Sequence, residues 1–267
     1  MRRAREKNGV IINADSVQIY DALPILTAQP TDEDKAEIPH LLYGTRHPNN
    51  VCSAGNWCEE VIPIIEEVLK NGQTPIICGG TGLYIKALMQ GLSPMPDIPD
   101  NIRQQANQKQ AELGNPAFHA ELAKIDPVIA ERFHPGHTAR LIRAYEVIIA
   151  TGKSLAEWQE LPRTPPPEQW DIQLEKIIPE RETLYERCNG RFLSMFDNGA
   201  LEETEQFAEK MATGEINEGV PVTKALGYKQ LLSYIKGEST KDEAITAAQT
   251  ITRHYAKRQT TWFRNQL

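Results

Sequence analysis

The sequence has few cysteines and no long apolar run. Its 267 residues include four cysteines, none spaced as C-x-x-C, so we expect neither a disulfide framework nor a zinc or redox site. No window approaches the roughly 18 consecutive apolar residues of a membrane-spanning helix, and residues 1–7 lack the apolar centre of a signal peptide. These absences predict a cytoplasmic protein with no membrane association.

Acidic residues are missing from the end of the chain. The whole chain carries a formal charge of -7, which argues against indiscriminate binding of nucleic acid. After Glu243, however, there is no Asp or Glu, while Arg253, Lys257, Arg258 and Arg264 all follow. A charged helix face is usually a solvated surface, but the lack of compensating acids weakens that interpretation here.

Two short apolar runs predict strands of a parallel sheet. Residues 9–14 and 75–78 are rich in β-branched side chains and do not alternate with polar ones, as is typical of strands covered on both faces. Residues 56–70 between them have apolar residues at helical spacing, and the glycine-rich loop 79–82 leads into another helical pattern at 83–88. This order predicts an α/β fold with a doubly wound parallel sheet.

A helical insertion interrupts the α/β pattern. Residues 99–169 show helical patterns without a clear strand and end in a proline-rich segment at 162–167, which predicts a stiff extended linker. The following residues 172–178 begin with alternating polar and apolar side chains, so we expect the chain to re-enter the sheet there. The predicted domains are an α/β catalytic core, residues 1–98 and 170–267, and an inserted all-helical domain.

Polar residues follow the two predicted strands. Ligands of open α/β sheets bind outside the carboxyl ends of the strands, so Asp15 and loop 79–82 should line one crevice. The Asp15 carboxylate could act as a base, or Asp15 and Ser16 could cap a helix with Gln18 completing a capping box. The glycines of the loop could admit a ligand close to the backbone or serve a tight packing turn. The residue pattern alone leaves both alternatives open.

Two candidates lie in the helical insertion. Residues 151–154 (TGKS) resemble the end of a P-loop, but Val147 stands where a glycine is needed, so we predict a helix stop at Gly152 instead. Arg140 and Arg143 share one helix face, which suits a phosphate backbone or an ordinary solvated surface.

Several longer motifs stand in order along almost the whole chain. Through them the sequence resembles the tRNA dimethylallyltransferase (tRNA isopentenyltransferase) family. They are residues 11–20 (IINADSVQIY), 27–31 (TAQPT), 38–41 (IPHL), 79–84 (GGTGLY), 140–147 (RLIRAYEV), 227–229 (GYK) and 252–264 (TRHYAKRQTTWFR).

The resemblance implies a P-loop NTPase-like core and a defined reaction. A dimethylallyl group would move from dimethylallyl diphosphate, with Mg²⁺, to the exocyclic amine of the adenosine 3′-adjacent to the anticodon in tRNAs that read U-starting codons. Asp15 would be the catalytic base, and Thr81 would hold that carboxylate or the amine. The enzyme would act as a monomer, and the ligands of the metal stay unassigned.

The resemblance also implies which residues contact tRNA. The helical domain would bind the anticodon stem-loop together with the Asp15 turn. The expected tRNA contacts are Asp15, Ser16, Val17, Gln18, Arg103, Ala139, Arg140, Leu141, Ile142 and Arg143. Contacts to the diphosphate or to tRNA phosphates are expected from Arg253, Lys257, Arg258 and Arg264.

One family motif is missing from these 267 residues. The family begins with a strand and a G-x-x-x-x-G-K-[ST] loop that cradles the diphosphate, and no such loop precedes Asp15. We therefore expect a core in which the first strand and P-loop are absent. An alternative function is an inactive tRNA-binding remnant, and a third is a small-molecule or nucleotide kinase of the same fold superclass.

Overall fold

The computed structural model describes all of residues 1–267. The chain forms two compact units, one made of Met1–Met89 with Asp171–Leu267 and the other of Gln90–Trp170. None of the helices combines the length and apolar character needed to cross a bilayer.

A three-stranded parallel sheet forms the centre of the first unit. Its strands are β1 (Gly9–Asn13), β2 (His40–Leu41) and β3 (Thr74–Cys78), in the order β2-β1-β3. Ile11 of β1 pairs with His40 on one side and Ile76 on the other. All five residues of β1 are buried, whereas β3 is half-buried and pairs only with β1. The predicted parallel α/β fold is confirmed.

Eight α-helices belong to the same unit as this sheet. They are α1 (Arg2–Glu6), α2 (Asp32–Glu37), α3 (Ala54–Lys70), α4 (Gly82–Gln90), α9 (Arg181–Met195), α10 (Leu201–Ala212), α11 (Tyr228–Ile235) and α12 (Lys241–Gln266). Helix α3 illustrates why they form, because Ser53 caps its start in a capping box with Asn56, and an apolar face including Trp57 and Val61 is buried.

The second unit contains helices alone. They are α5 (Asp100–Ile125), α6 (Pro127–Arg132), α7 (Thr138–Thr151) and α8 (Leu155–Glu160). Its core includes the fully buried Phe118 and Leu141. Helix α7 ends at Gly152 in the left-handed conformation, and Ser154 caps α8. The TGKS segment is therefore a helix stop and restart, as predicted, and not a P-loop.

The prediction that residues 172–178 re-enter the sheet is wrong. The segment has no secondary structure and is mostly exposed, with Ile177 at 83%. Both edges of β1 are occupied by β2 and β3, and the segment pairs with neither of the outer edges that β2 and β3 leave free. An alternating pattern predicts which side chains would share a face if the segment were a strand, but it does not predict whether another strand is available for pairing.

Candidate active site

A buried asparagine shapes the end of the central strand. The Asn13 side chain accepts a hydrogen bond from the Asp15 amide (2.8 Å) and donates to the carbonyls of Asp15 (3.0 Å) and Leu42 (2.9 Å). The Trp57 indole donates to the Asn13 carbonyl at 2.9 Å. These bonds fix the backbone from which the Asp15 side chain projects. Sequence reasoning missed this role, although a polar residue within a buried apolar run was a visible cue.

The Asp15 carboxylate is anchored through one oxygen. Its Oδ1 accepts hydrogen bonds from the amides of Val17 (2.9 Å) and Gln18 (3.4 Å). Its Oδ2 has no partner within the chain and is not among the buried unpartnered atoms, so it is open to a ligand. Residues 16–19 form a turn, and the next helix begins only at Asp32. Asp15 therefore stabilises a turn without capping a helix, and it keeps one oxygen free to accept a proton.

Thr81 reaches the same turn but not the carboxylate. Its hydroxyl accepts a hydrogen bond from the Ser16 amide at 2.9 Å and donates to the Ser16 hydroxyl at 3.2 Å. Its amide donates to the Ala14 carbonyl at 3.1 Å. The expected proximity of Asp15 and Thr81 is confirmed, whereas a Thr81 bond to the Asp15 carboxylate is not formed, because Ser16 occupies the hydroxyl.

The glycine-rich loop is packed tightly against its neighbours. A Cβ on Gly79 would lie 2.2 Å from the Ala14 carbonyl carbon, and one on Gly82 would lie 2.3 Å from the Trp262 ring. Gln259 donates to the Gly80 carbonyl at 3.0 Å. The packing explanation accounts for these glycines, and the same contacts bring helix α12 to the loop that holds Thr81.

The Gln18 side chain is held by a neighbouring loop. Its amide nitrogen donates to the carbonyls of Thr27 and Ala28, both at 2.8 Å. Only the nitrogen can satisfy two carbonyl acceptors, so the orientation of the amide is fixed. Gln18 Oε1 has no partner in the chain and is not a buried unpartnered atom. A free acceptor thus stands three residues from Asp15.

Two tyrosines lie near the negative charge of Asp15. Burial raises the pKa of Tyr255, and the Asp15 charge raises that pKa further. The pKa of Tyr43 is raised by the same causes, burial first, with a contribution from Cys78 between them. Both phenols are therefore neutral at physiological pH. Sequence reasoning did not place either tyrosine beside Asp15.

The four predicted phosphate contacts on α12 differ in availability. Arg253 is bound to Asn189 Oδ1 (2.7 Å) and to the Thr250 hydroxyl (2.8 Å). Lys257, Arg258 and Arg264 are exposed, and none forms an ion pair. An open surface depression of about 560 Å³ on this helix is lined by His254, Lys257, Arg258, Thr261, Trp262, Asn265 and Gln266.

The predicted tRNA contacts in the helical unit also differ in exposure and in the bonds that they already form. The Arg140 guanidinium lies 5.9 Å from the centre of the Phe133 ring and is exposed. Arg143 pairs with Glu146 at 3.4 Å, and Arg103 donates to the Ile98 carbonyl at 3.2 Å. Leu141 is fully buried. Its side chain therefore belongs to the core, while Ala139 is exposed and Ile142 half-exposed on the same helix.

The side chains alone do not form a metal cage. No group of three or more His, Cys, Asp or Glu is arranged to hold an ion. Magnesium commonly binds through one or two carboxylates together with substrate phosphates. The residues present therefore do not fit a resident metal held by protein ligands only.

The fold and this site together define a class of protein. The central strand of a parallel sheet leads to Asp15, whose carboxylate has one oxygen without a hydrogen-bond partner. Helix α12, which packs on the neighbouring loop, carries Lys and Arg side chains that form no ion pair. The protein has an α/β fold of the P-loop-like type. The IPP transferase family model matches residues 18–266. The chain belongs to the IPP transferase family, whose members are transferases.

Similar proteins agree with this assignment. The tRNA dimethylallyltransferase of Paramagnetospirillum magneticum is 48% identical over 267 residues, covering 100% of this chain and 83% of the relative. That of Rhodospirillum centenum is 43% identical over 260 residues, covering 97% and 82%.

Solved structures agree as well. A tRNA delta(2)-isopentenylpyrophosphate transferase from Staphylococcus epidermidis matches with a TM-score of 0.65 and 32% identity, covering 100% of this chain and 85% of that chain. A eukaryotic dimethylallyltransferase acting on tRNA matches with a TM-score of 0.78 and 26% identity, covering 98% and 65%. The comparisons give no support to an inactive remnant.

Proposed function

We propose that this chain transfers a dimethylallyl group from dimethylallyl diphosphate to the exocyclic amine of the adenosine 3′-adjacent to the anticodon, in tRNAs that read U-starting codons. The observation that carries the proposal is the Asp15 carboxylate. It stands at the carboxyl end of the central strand with Oδ1 anchored and Oδ2 free. The tRNA dimethylallyltransferase relatives span the whole chain, which favours this reaction over a kinase.

The reaction needs a base because an adenine amine is a weak nucleophile. As the nitrogen attacks the allylic carbon, the N–C bond forms and the C–O bond to diphosphate breaks, with the electron pair leaving on the diphosphate. Asp15 Oδ2 accepts the proton that the amine loses. A positioned base of this kind contributes about 10²–10⁴-fold to a rate.

The target base must leave its stack to reach Asp15. Extruding a nucleotide costs roughly a few kcal/mol, and contacts with the tRNA phosphates can offset that cost without reading sequence. The exposed cations of α12 and the exposed Arg140 of the helical unit are suited to such contacts. Arg253 is already bound within the chain, so its role would be to stabilise α12.

The role of the α12 cations can be measured through salt dependence. We expect the Lys257→Ala/Arg258→Ala variant to weaken tRNA binding and to reduce the slope of log affinity against log salt concentration. The slope should fall by about 0.7–0.9 for each tRNA phosphate that the variant no longer neutralises. Filter binding at a series of salt concentrations would measure it, with each single variant, Lys257→Ala and Arg258→Ala, compared with the exposed Lys70→Ala on α3, which removes one charge as each of them does. An unchanged slope would remove these two residues from the tRNA interface.

The activity itself is tested by direct transfer. The chain, joined to the strand and the G-x-x-x-x-G-K-[ST] loop with which the family begins, is incubated with tRNA, dimethylallyl diphosphate and Mg²⁺, and nucleosides from a digest are separated to detect isopentenyladenosine. We expect modified adenosine only at the position 3′-adjacent to the anticodon. A parallel reaction with ATP and nucleosides tests the kinase alternative, and phosphorylation without prenyl transfer would overturn the proposal.

Three further parts of the proposal concern the working state. We propose that Mg²⁺ enters with the diphosphate, because the protein ligands do not complete a site, and no reaction step is assigned to it. We propose a monomer acting in the cytoplasm, where its tRNA substrate is found. Light scattering of the purified chain tests the oligomeric state, and a dimer mass at working concentration would contradict it.

A further inference from the structure

The Glu203 carboxylate of helix α10 binds loop 23–28, which follows the Asp15 turn. The two oxygens of Glu203 accept hydrogen bonds from consecutive amides, Ile25 at 2.8 Å and Leu26 at 2.9 Å. The bonds join parts of the chain 178 and 177 residues apart. Glu203 is half-buried. Burial raises the pKa of its carboxyl, and the hydrogen bonds from the Ile25 and Leu26 amides offset only part of that increase.

Loop 23–28 contains two residues in an unfavourable backbone conformation. Leu23 and Ala28 have φ angles of 53° and 55°, in the left-handed region that non-glycine residues rarely adopt. Such strain persists only where surrounding contacts over-determine it, and it concentrates at functional sites. Internal bonds from Thr27 to the Leu23 carbonyl contribute. Glu203 adds the anchor from outside the loop.

The same loop determines where the Gln18 amide points. Its two acceptors for Gln18, the carbonyls of Thr27 and Ala28, come directly after the two amides that Glu203 binds. Both hydrogens of the Gln18 amide are thereby used, and Oε1 remains a pure acceptor. Since the Asp15 carboxylate also binds the Gln18 backbone amide, the free oxygens of Asp15 and Gln18 belong to one connected unit.

We propose that Glu203 is a positioning residue that sets the preference of the site for a 6-amino purine. Glu203 holds loop 23–28 in place through its hydrogen bonds, and the carbonyls of that loop orient the Gln18 amide. Gln18 Oε1 then accepts a hydrogen bond from the amine of the target base. A purine with a 6-oxo group presents an acceptor there instead, leaving two acceptors opposed. The inference rests on the proposed function, because it concerns the base that enters the same site.

The two acceptor oxygens of a carboxylate can bind two backbone N–H groups, whereas a side-chain amide has only one acceptor oxygen. Glu203→Gln keeps the size of the side chain but replaces one acceptor by a donor, which would face a backbone N–H. The neighbouring Glu202 is exposed and makes no hydrogen bond through its side chain. Glu202→Gln is therefore a matched control with the same change of charge one residue away.

The test compares binding of two synthetic anticodon stem-loops, one with adenosine and one with inosine at the target position. For the wild type and Glu202→Gln we expect adenosine to bind at least 10-fold more tightly. For Glu203→Gln we expect that ratio to fall towards 1, and kcat for transfer to fall about 10-fold or more. A merely structural role would lower the melting temperature while leaving the binding ratio unchanged, and that result would overturn the inference.

A double-mutant cycle with Gln18→Ala shows whether the effect passes through Gln18. If it does, Glu203→Gln has little further effect on the binding ratio once Gln18 is removed. Independent, additive effects would contradict the proposed chain of contacts. If Glu203→Gln does not fold, Glu203→Asp keeps the charge and loses reach, and a wild-type ratio in it would overturn the inference. A wild type that transfers no prenyl group would instead contradict the proposed function.

Discussion

Asp15→Asn should lower the single-turnover rate of prenyl transfer by about 10²–10⁴-fold, the contribution typical of a positioned general base. Asparagine keeps an oxygen that can accept the bonds from Val17 and Gln18, so the turn should survive. It cannot accept the proton that the amine loses. We therefore expect tRNA affinity and melting temperature to stay close to those of the wild type while the rate falls.

The control for this experiment is Asp21→Asn. Asp21 is exposed in the following loop, and its only hydrogen bond is from its backbone amide to the Arg46 carbonyl. Removing its charge changes the net charge of the chain by the same amount. Its rate should remain within about two-fold of the wild type, as is usual for surface changes of little energetic effect. An Asp15→Asn variant that transfers at the wild-type rate would exclude Asp15 as the base.

The position of Asp15 was open to prediction from sequence, but its bonding was not. A short buried strand followed by a carboxylate predicts a side chain at the carboxyl edge of the sheet, and the structure places it there. Which oxygen is free depends on Val17, Gln18 and the buried Asn13. Thr81 was expected to hold the Asp15 carboxylate or the amine of the target base. In the structure its hydroxyl is bonded to the hydroxyl and amide of Ser16, and its contact with the amine stays a prediction.

Contacts between distant parts of the chain account for what could not be predicted. In the sequence Glu203 is an ordinary polar residue of a helical segment, and no neighbouring residue indicates that it binds the amides of Ile25 and Leu26. Similarly, helical spacing predicted one basic face on α12, but only the structure separates the bound Arg253 from the exposed Lys257. Periodicity describes a face of one element, and the neighbour across that face decides whether a charge is free.

The failed strand at residues 172–178 has the same cause. Its alternation was compatible with a strand, as was its place after a proline-rich linker. Strand formation also requires an unpaired backbone edge at the correct position, and that depends on the rest of the sheet. In this chain the segment is an exposed connection without secondary structure, joined to α1 by an ion pair between Arg3 and Glu175 at 3.3 Å.

Gly79→Ala should both unfold the core more easily and abolish transfer. The added Cβ would lie 2.2 Å from the carbonyl carbon of Ala14 and 2.3 Å from its oxygen, and both atoms are backbone that cannot rotate away. Overpacking typically costs about 1–3 kcal/mol, and because the clash here is with backbone we expect a cost of about 3 kcal/mol, which lowers the melting temperature of a chain this size by roughly 6–12 °C. Because Ala14 directly precedes Asp15, the displacement also moves the base.

Gly190→Ala provides the opposite outcome for the same chemical change. Gly190 lies inside helix α9, and a Cβ there would meet no atom within 4 Å. Alanine in a helix interior is favoured over glycine by about 0.5–1 kcal/mol, so this variant should melt slightly higher than the wild type and transfer normally. Thermal melts and single-turnover rates of both variants would check the pair. If Gly79→Ala melted and reacted like Gly190→Ala, the glycine-rich loop would not be a packing element, and its glycines would have to be explained by the ligand instead.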